Sequence, residues 1–103
     1  MKTIIVQTTC ANKDEAKAIS KILIQKRLAA CVHMSKIDSF YLWNNEFCED
    51  SEMLLSIKTK KELFKKVESK IKELHSYDVP EIISINIKNV SKDYRKFIGE
   101  SCK

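Results

Sequence analysis

Stretches of period-two alternation and stretches of helical spacing succeed one another along the chain. Lys2 to Thr9, KTIIVQTT, is short and β-branched, the signature of a buried strand. Asn12 then stands three positions before Glu15, and Ala16, Ile19, Ile22 and Leu23 follow at helical spacing. This predicts a capped amphipathic helix ending near Arg27 or Leu28, where Lys26 and Arg27 suit the negative end of the helix dipole. From Ala29 the alternation returns, with Ala30, Val32 and Met34 on one face and Cys31, His33 and Ser35 on the other. His33 is thereby placed on the open side of a sheet. The run continues to Trp43, where Asn44 and Asn45 tolerate positive φ and predict a tight turn. The returning strand, from about Glu46 to Lys58, carries Met53, Leu55 and Ile57 on one face. Both strands exceed the usual length of about 5–6 residues, so the distal half of this hairpin is expected to project beyond the domain.

The stretch TKKE, Thr59 to Glu62, matches a capping box, and Leu63, Phe64, Val67, Ile71 and Leu74 then form one apolar stripe among lysines. Pro80 separates this second helix from a fourth strand in which Ile83, Ile85 and Ile87 alternate with Ser84, Asn86 and Lys88, predicting one buried face. Ser91 can cap a short terminal helix bearing Tyr94, Phe97 and Ile98. The order is β-α-β-β-α-β with an extra helix, an α+β, ferredoxin-like plan with a long hairpin between the second and third strands. Right-handed crossovers give an antiparallel sheet in the order 4-1-3-2 with both helices on one face. The first strand then ends where its neighbour, the fourth, begins, which brings Cys10 and His75 to one end of the domain. An uncovered sheet face and a projecting hairpin both predict an oligomer.

At 103 residues, 44% of them hydrophobic, the chain is expected to form a single domain over 1–103. No stretch approaches the roughly 20 apolar residues of a membrane span, and the first residues lack a signal-peptide pattern, so a cytoplasmic protein without membrane partners is expected. Cys10, Cys31, Cys48 and Cys102 show no CxxC spacing and read as free thiols in a reducing compartment. The net charge of +5 is unevenly spread: Lys58 to Glu73 holds seven lysines against three glutamates, and Glu46 to Glu52 holds four acids and no base. Because the lysines alternate with acids on a predicted helix, and TIIVQTT of the first strand and EMLLSIK of the third offer no aromatic side chains for base stacking, no nucleic-acid partner is expected.

The candidate chemistry lies at the strand and helix ends. Cys10 precedes a helix start, a position that lowers a thiol pKa and favours the thiolate. His75, at the end of the second helix, can act as an imidazole ligand or simply complement the helix terminus. Thiolate and imidazole together suit copper or another borderline divalent metal ion such as zinc, and Glu52 in the hairpin is a candidate carboxylate from the same or a neighbouring subunit. Tyr77, Asp78 and Glu81 add polar groups beside His75. Tyr41 and Trp43 share a face near the hairpin tip, where aromatic residues commonly pack on another subunit. A Cys-His pair without an orienting third residue or an oxyanion motif does not predict an enzyme.

The segments QKRLAACV (Gln25 to Val32), FYLW with EDSEMLLSIKT (Phe40 to Thr59), and HSYDVPEII (His75 to Ile83) stand in the order and spacing of the CutA divalent-cation tolerance proteins. The chain resembles that family over nearly its whole length. The resemblance implies a ferredoxin-like subunit, a homotrimer built by long hairpins and similar in architecture to PII signalling proteins, and an association with copper and other metals. By position, Cys10 and His75 match metal-site residues of the family and Glu52 a recurrent hairpin acid. Some members carry a second histidine where this chain has Leu74, and the usual His-Pro-Tyr is His-Ser-Tyr here, with Ser76. Two functions follow as expectations. One is a trimer binding metal ions through Cys10, His75 and Glu52. The other is a PII-like regulatory trimer whose inter-subunit clefts take a small anionic ligand or a protein partner through Lys58, Tyr77 and Glu81.

Overall fold

The computed structural model describes residues 1–103. Its elements are β1 (Thr3–Cys10), α1 (Lys13–Gln25), β2 (Cys31–Trp43), β3 (Glu46–Lys60), α2 (Phe64–Leu74), β4 (Ile83–Asn86) and α3 (Lys92–Ser101), with a 3₁₀ turn at Lys61–Leu63 leading into α2. The four strands make one antiparallel sheet in the order β2-β3-β1-β4, the expected order read from the opposite edge.

One face of the sheet carries Ile4, Val6, Thr8 and Cys10 from β1 and Leu55, Ile57 and Thr59 from β3. Against it pack Ala16, Ile19 and Leu23 of α1 and Val67 and Ile71 of α2, all without solvent exposure. Burial of this apolar layer supplies the main driving force for the fold, at about 25 cal/mol per Å² removed from water.

Asn12 caps α1 as expected, accepting the Glu15 N–H at 2.9 Å. The helix stops at Gln25, earlier than the apolar spacing predicts, because the chain turns left-handed at Arg27 with φ 58°. Leu28 N–H bonds to Leu23 O at 2.9 Å and Arg27 N–H to Ile24 O at 3.0 Å, the paired closure of a Schellman motif. Glycine usually occupies that left-handed position. Here the arginine side chain uses it to reach α3, donating to Glu100 O at 2.7 Å and Ser101 O at 3.2 Å.

β2 and β3 pair without interruption from Cys31–Lys58 to Trp43–Glu46, closed by Asn44 (φ 51°) and Asn45 (φ 66°) in the left-handed pair that a two-residue hairpin turn requires. The hairpin accounts for the elongated shape, 45 × 25 × 21 Å.

Two expectations are corrected. Thr59 does not cap α2: it lies inside β3 opposite Ile4, fully buried, with its hydroxyl donating to Leu28 O at 2.6 Å. Strand pairing claims the residue before the helix can, and α2 begins without a side-chain cap. In β4 the isoleucines face outward. Register against β1 sets Ser84 opposite Val6 and Asn86 opposite Ile4 on the helix side, so Ile83 and Ile85 stand on the open face, 47% and 46% exposed. Ser91 caps α3, accepting the Tyr94 N–H at 3.3 Å, while Ile98 and Cys102 enter the core and Tyr94 meets Cys31.

Candidate functional site

Three element ends converge beneath the hairpin. Cys10 is the last residue of β1, facing the helices and fully buried. Glu15 lies in the first turn of α1, and His75 leaves α2 in an extended conformation. The ligand-type atoms of Cys10, Glu15 and His75 all lie within 4.8 Å of one another. The structure therefore brings Cys10 and His75 together across the sequence, and it supplies Glu15, not Glu52, as their nearest carboxylate. Glu15 read in the sequence only as a capping-box partner. Its carboxylate in fact turns away from Asn12, and Oε2 accepts the Ser76 N–H at 3.2 Å.

The hydrogen bonds define the state of His75, whose side chain is fully enclosed. Nδ1 accepts the Tyr77 N–H at 3.1 Å, so the ring proton belongs on Nε2, which donates to Thr9 O at 2.8 Å. The ring is neutral in this arrangement. Glu15 Oε1 sits 3.7 Å from Nδ1, buried and without a hydrogen-bond partner. Burial, reinforced by Glu15 and then Glu52, pushes the Cys10 thiol up to about 12. This overturns the lowered pKa expected from the nearby helix start: desolvation and two carboxylates outweigh the dipole. A thiol, an imidazole and a carboxylate with an orphaned oxygen thus bring their ligand-type atoms within 4.8 Å of one another. That donor set fits a borderline divalent cation, which would take sulfur, nitrogen and oxygen ligands together and displace the thiol proton.

Glu52, only 7% exposed, is turned to the loop after α2, where it accepts the Tyr77 hydroxyl at 2.7 Å. Burial and then this bond push the Tyr77 phenol upward, keeping it neutral. Further out, the Tyr41 hydroxyl donates to Asp50, which likewise raises its pKa. Between hairpin and loop lies a cleft of about 740 Å³ lined by Thr9, Tyr41, Trp43, Glu52, Tyr77 and Glu81 among others. It holds the carboxylates of Glu52, Asp78 and Glu81 and no lysine or arginine. Tyr77 and Glu81 both line this cleft, and Lys58 does not. It lies six positions along β3 from Glu52, about 20 Å at strand spacing, opposite Cys31 and in contact with His33 on the open face. An acidic cleft of this kind repels a small anion unless a neighbouring subunit adds a cation.

Comparison with known proteins accords with the fold. The family model described as CutA1 divalent ion tolerance protein matches residues 4–101. The chain is similar to the divalent-cation tolerance protein CutA of Pyrococcus horikoshii, 39% identical over 100 residues, covering 97% of this chain and 98% of that protein. Among solved structures, CutA1 from Oryza sativa superposes with a TM-score of 0.97 at 35% identity, covering 100% of this chain and 95% of that one. The periplasmic divalent cation tolerance protein CutA from Archaeoglobus fulgidus superposes with a TM-score of 0.95 at 33% identity, covering 96% and 97%.

Proposed function

The chain belongs to the CutA1 divalent ion tolerance family, and from that premise we propose that it binds a borderline divalent cation, copper or zinc, through Cys10, His75 and Glu15. The observation that carries this reading is the orphaned Glu15 Oε1 beside the His75 lone pair and the Cys10 thiol. Leaving a buried oxygen unpartnered costs about 1–3 kcal/mol, a cost that a bound cation removes. Glu52, engaged by Tyr77, belongs to the wall of the neighbouring cleft. The protein acts as a binder rather than an enzyme, since a thiol held protonated by burial is a poor nucleophile.

The proposed assembly is a homotrimer in a reducing, cytoplasmic setting where the four thiols stay free. It is supported by the exposed Phe40, Leu42, Trp43 and Phe47 on the hairpin and by Ile83 and Ile85 on the open sheet face, apolar surface that a subunit partner would cover. A second reading, a PII-like regulatory trimer with a ligand or protein partner in its clefts, draws on the cleft beside Tyr77 and Glu81.

Titration calorimetry with Zn(II) and Cu(II), and with Cu(I) under reducing conditions, tests the site. Binding is expected in the wild type and severely weakened in Cys10→Ser, Glu15→Gln and His75→Gln. Unaltered affinity in all three folded variants rejects the assignment.

A further inference from the structure

His75 Nδ1 stands between the Glu15 carboxylate and the backbone of the loop after α2. It is the ring nitrogen that faces Glu15, at 3.7 Å from Oε1, and its lone pair already accepts the Tyr77 N–H at 3.1 Å. The other ring nitrogen is held by Thr9 O at 2.8 Å. Glu15 is similarly divided, with Oε1 free and Oε2 holding the Ser76 N–H at 3.2 Å. The two residues that offer lone pairs to the Cys10 site are thus the same two that pin the backbone of Ser76 and Tyr77.

Resting on the reading of Cys10, Glu15 and His75 as a cation site, we propose that occupation of the site releases Tyr77 and so opens the cleft between the loop and the hairpin. One lone pair cannot both accept an amide proton and ligate a cation, so ligation through Nδ1 frees the Tyr77 N–H. Tyr77 is also the residue that ties this loop to β3, through its hydroxyl on Glu52 at 2.7 Å, and its ring lies tilted against the His75 ring with centroids 4.8 Å apart. A ring rotation that turns Nδ1 towards Cys10 moves the surface against which Tyr77 packs. The chain Cys10–His75–Tyr77–Glu52 is contiguous: the ligand-type atoms of Cys10 and His75 lie within 4.8 Å, and His75–Tyr77 and Tyr77–Glu52 are joined by the hydrogen bonds above. The cleft is where the change emerges, and Trp43, the sole tryptophan, lines it. In this scheme the cation is a signal read at the cleft as well as a bound cargo.

The test uses the full chain under reducing conditions with Zn(II) alone as probe. Amide exchange and imidazole nitrogen shifts are followed by NMR, and Trp43 emission by fluorescence. The expected result is coordination at Nδ1, exchange at the Tyr77 amide faster by about tenfold, the factor that loss of one ordinary hydrogen bond implies, and a shift in Trp43 emission. In Tyr77→Phe, Zn(II) should bind with the same stoichiometry while the Trp43 response is lost. Zn(II) binding with an unchanged Tyr77 amide, or through Nε2, overturns the coupling and leaves the cation site standing. Absence of any Zn(II)-dependent change at Cys10 and His75 overturns both.

Discussion

The Tyr77 hydroxyl donates to Glu52 at 2.7 Å, fastening the loop that follows α2 to the root of the hairpin. Glu52 is almost wholly buried, so deleting its partner strands a carboxylate away from water. Tyr77→Phe is expected to destabilise the protein by about 1–3 kcal/mol, read from the denaturant midpoint. The double variant with Glu52→Gln should lose less than the two single losses combined. Additive losses would mean that the pair does not interact.

Arg27 presents a different balance. Arg27→Ala keeps a side chain in the left-handed region but loses the bonds to Glu100 and Ser101, whereas Arg27→Gly loses the bonds and relieves the backbone. Glycine should be the more stable of the two variants by about 1 kcal/mol, measured by thermal unfolding. Equal midpoints would show that the left-handed turn is unstrained.

Thr8 carries a fully buried hydroxyl on the core face of β1 with no hydrogen-bond partner. Thr8→Val replaces it with a methyl group of nearly the same shape, and should leave stability unchanged or raise it by about 1 kcal/mol. A loss of that size in the denaturant midpoint would reveal a bond that Thr8 makes in solution.

The buried Cys10 thiol links stability to alkaline pH. Its pKa rises from 9.0 to about 12 on folding, so the folded state holds the proton more tightly. The contribution is complete below pH 9 and is lost as pH rises towards about 12. In the absence of metal, the stability difference between wild type and Cys10→Ala should shift against the wild type across that window. A difference that is flat with pH would place the Cys10 thiol in contact with water.

The apolar hairpin predicts a mass in solution. Light scattering should return three times the 12.0 kDa of the chain, and Leu42→Glu with Phe47→Glu should shift it towards the monomer. Leu42 and Phe47 are 70% and 69% exposed, so these changes place charge on surface that only a subunit partner would bury. A wild-type monomer at micromolar concentration would exclude the trimer.

The elements and their order were legible because each strand alternates and each helix carries one stripe. The meeting of Cys10 with His75 was legible too, since crossover handedness alone brings the end of β1 beside the start of β4. What escaped has physical causes. The sides of Ile83 and Ile85 depend on register against β1, which alternation within β4 does not contain. Thr59 fits a cap in sequence, but the extended pairing with Ile4 takes it first. Glu15 was hidden by its place in a capping motif. Its carboxylate is directed by Ser76, a residue far along the chain, and no local pattern carries that information.

The uninterrupted β2–β3 ladder also sets an order of events in folding. All its pairs are local and fan out from the Asn44–Asn45 turn, so it can close within microseconds, whereas β1 must find β4 across nearly the whole chain. Phe40, Leu42 and Phe47 are consequently displayed on a formed ribbon before the rest of the subunit has assembled behind it. For the proposed trimer, refolding is then a competition between correct subunit encounter and indiscriminate ribbon association, and dilution shifts it towards single chains that finish folding first.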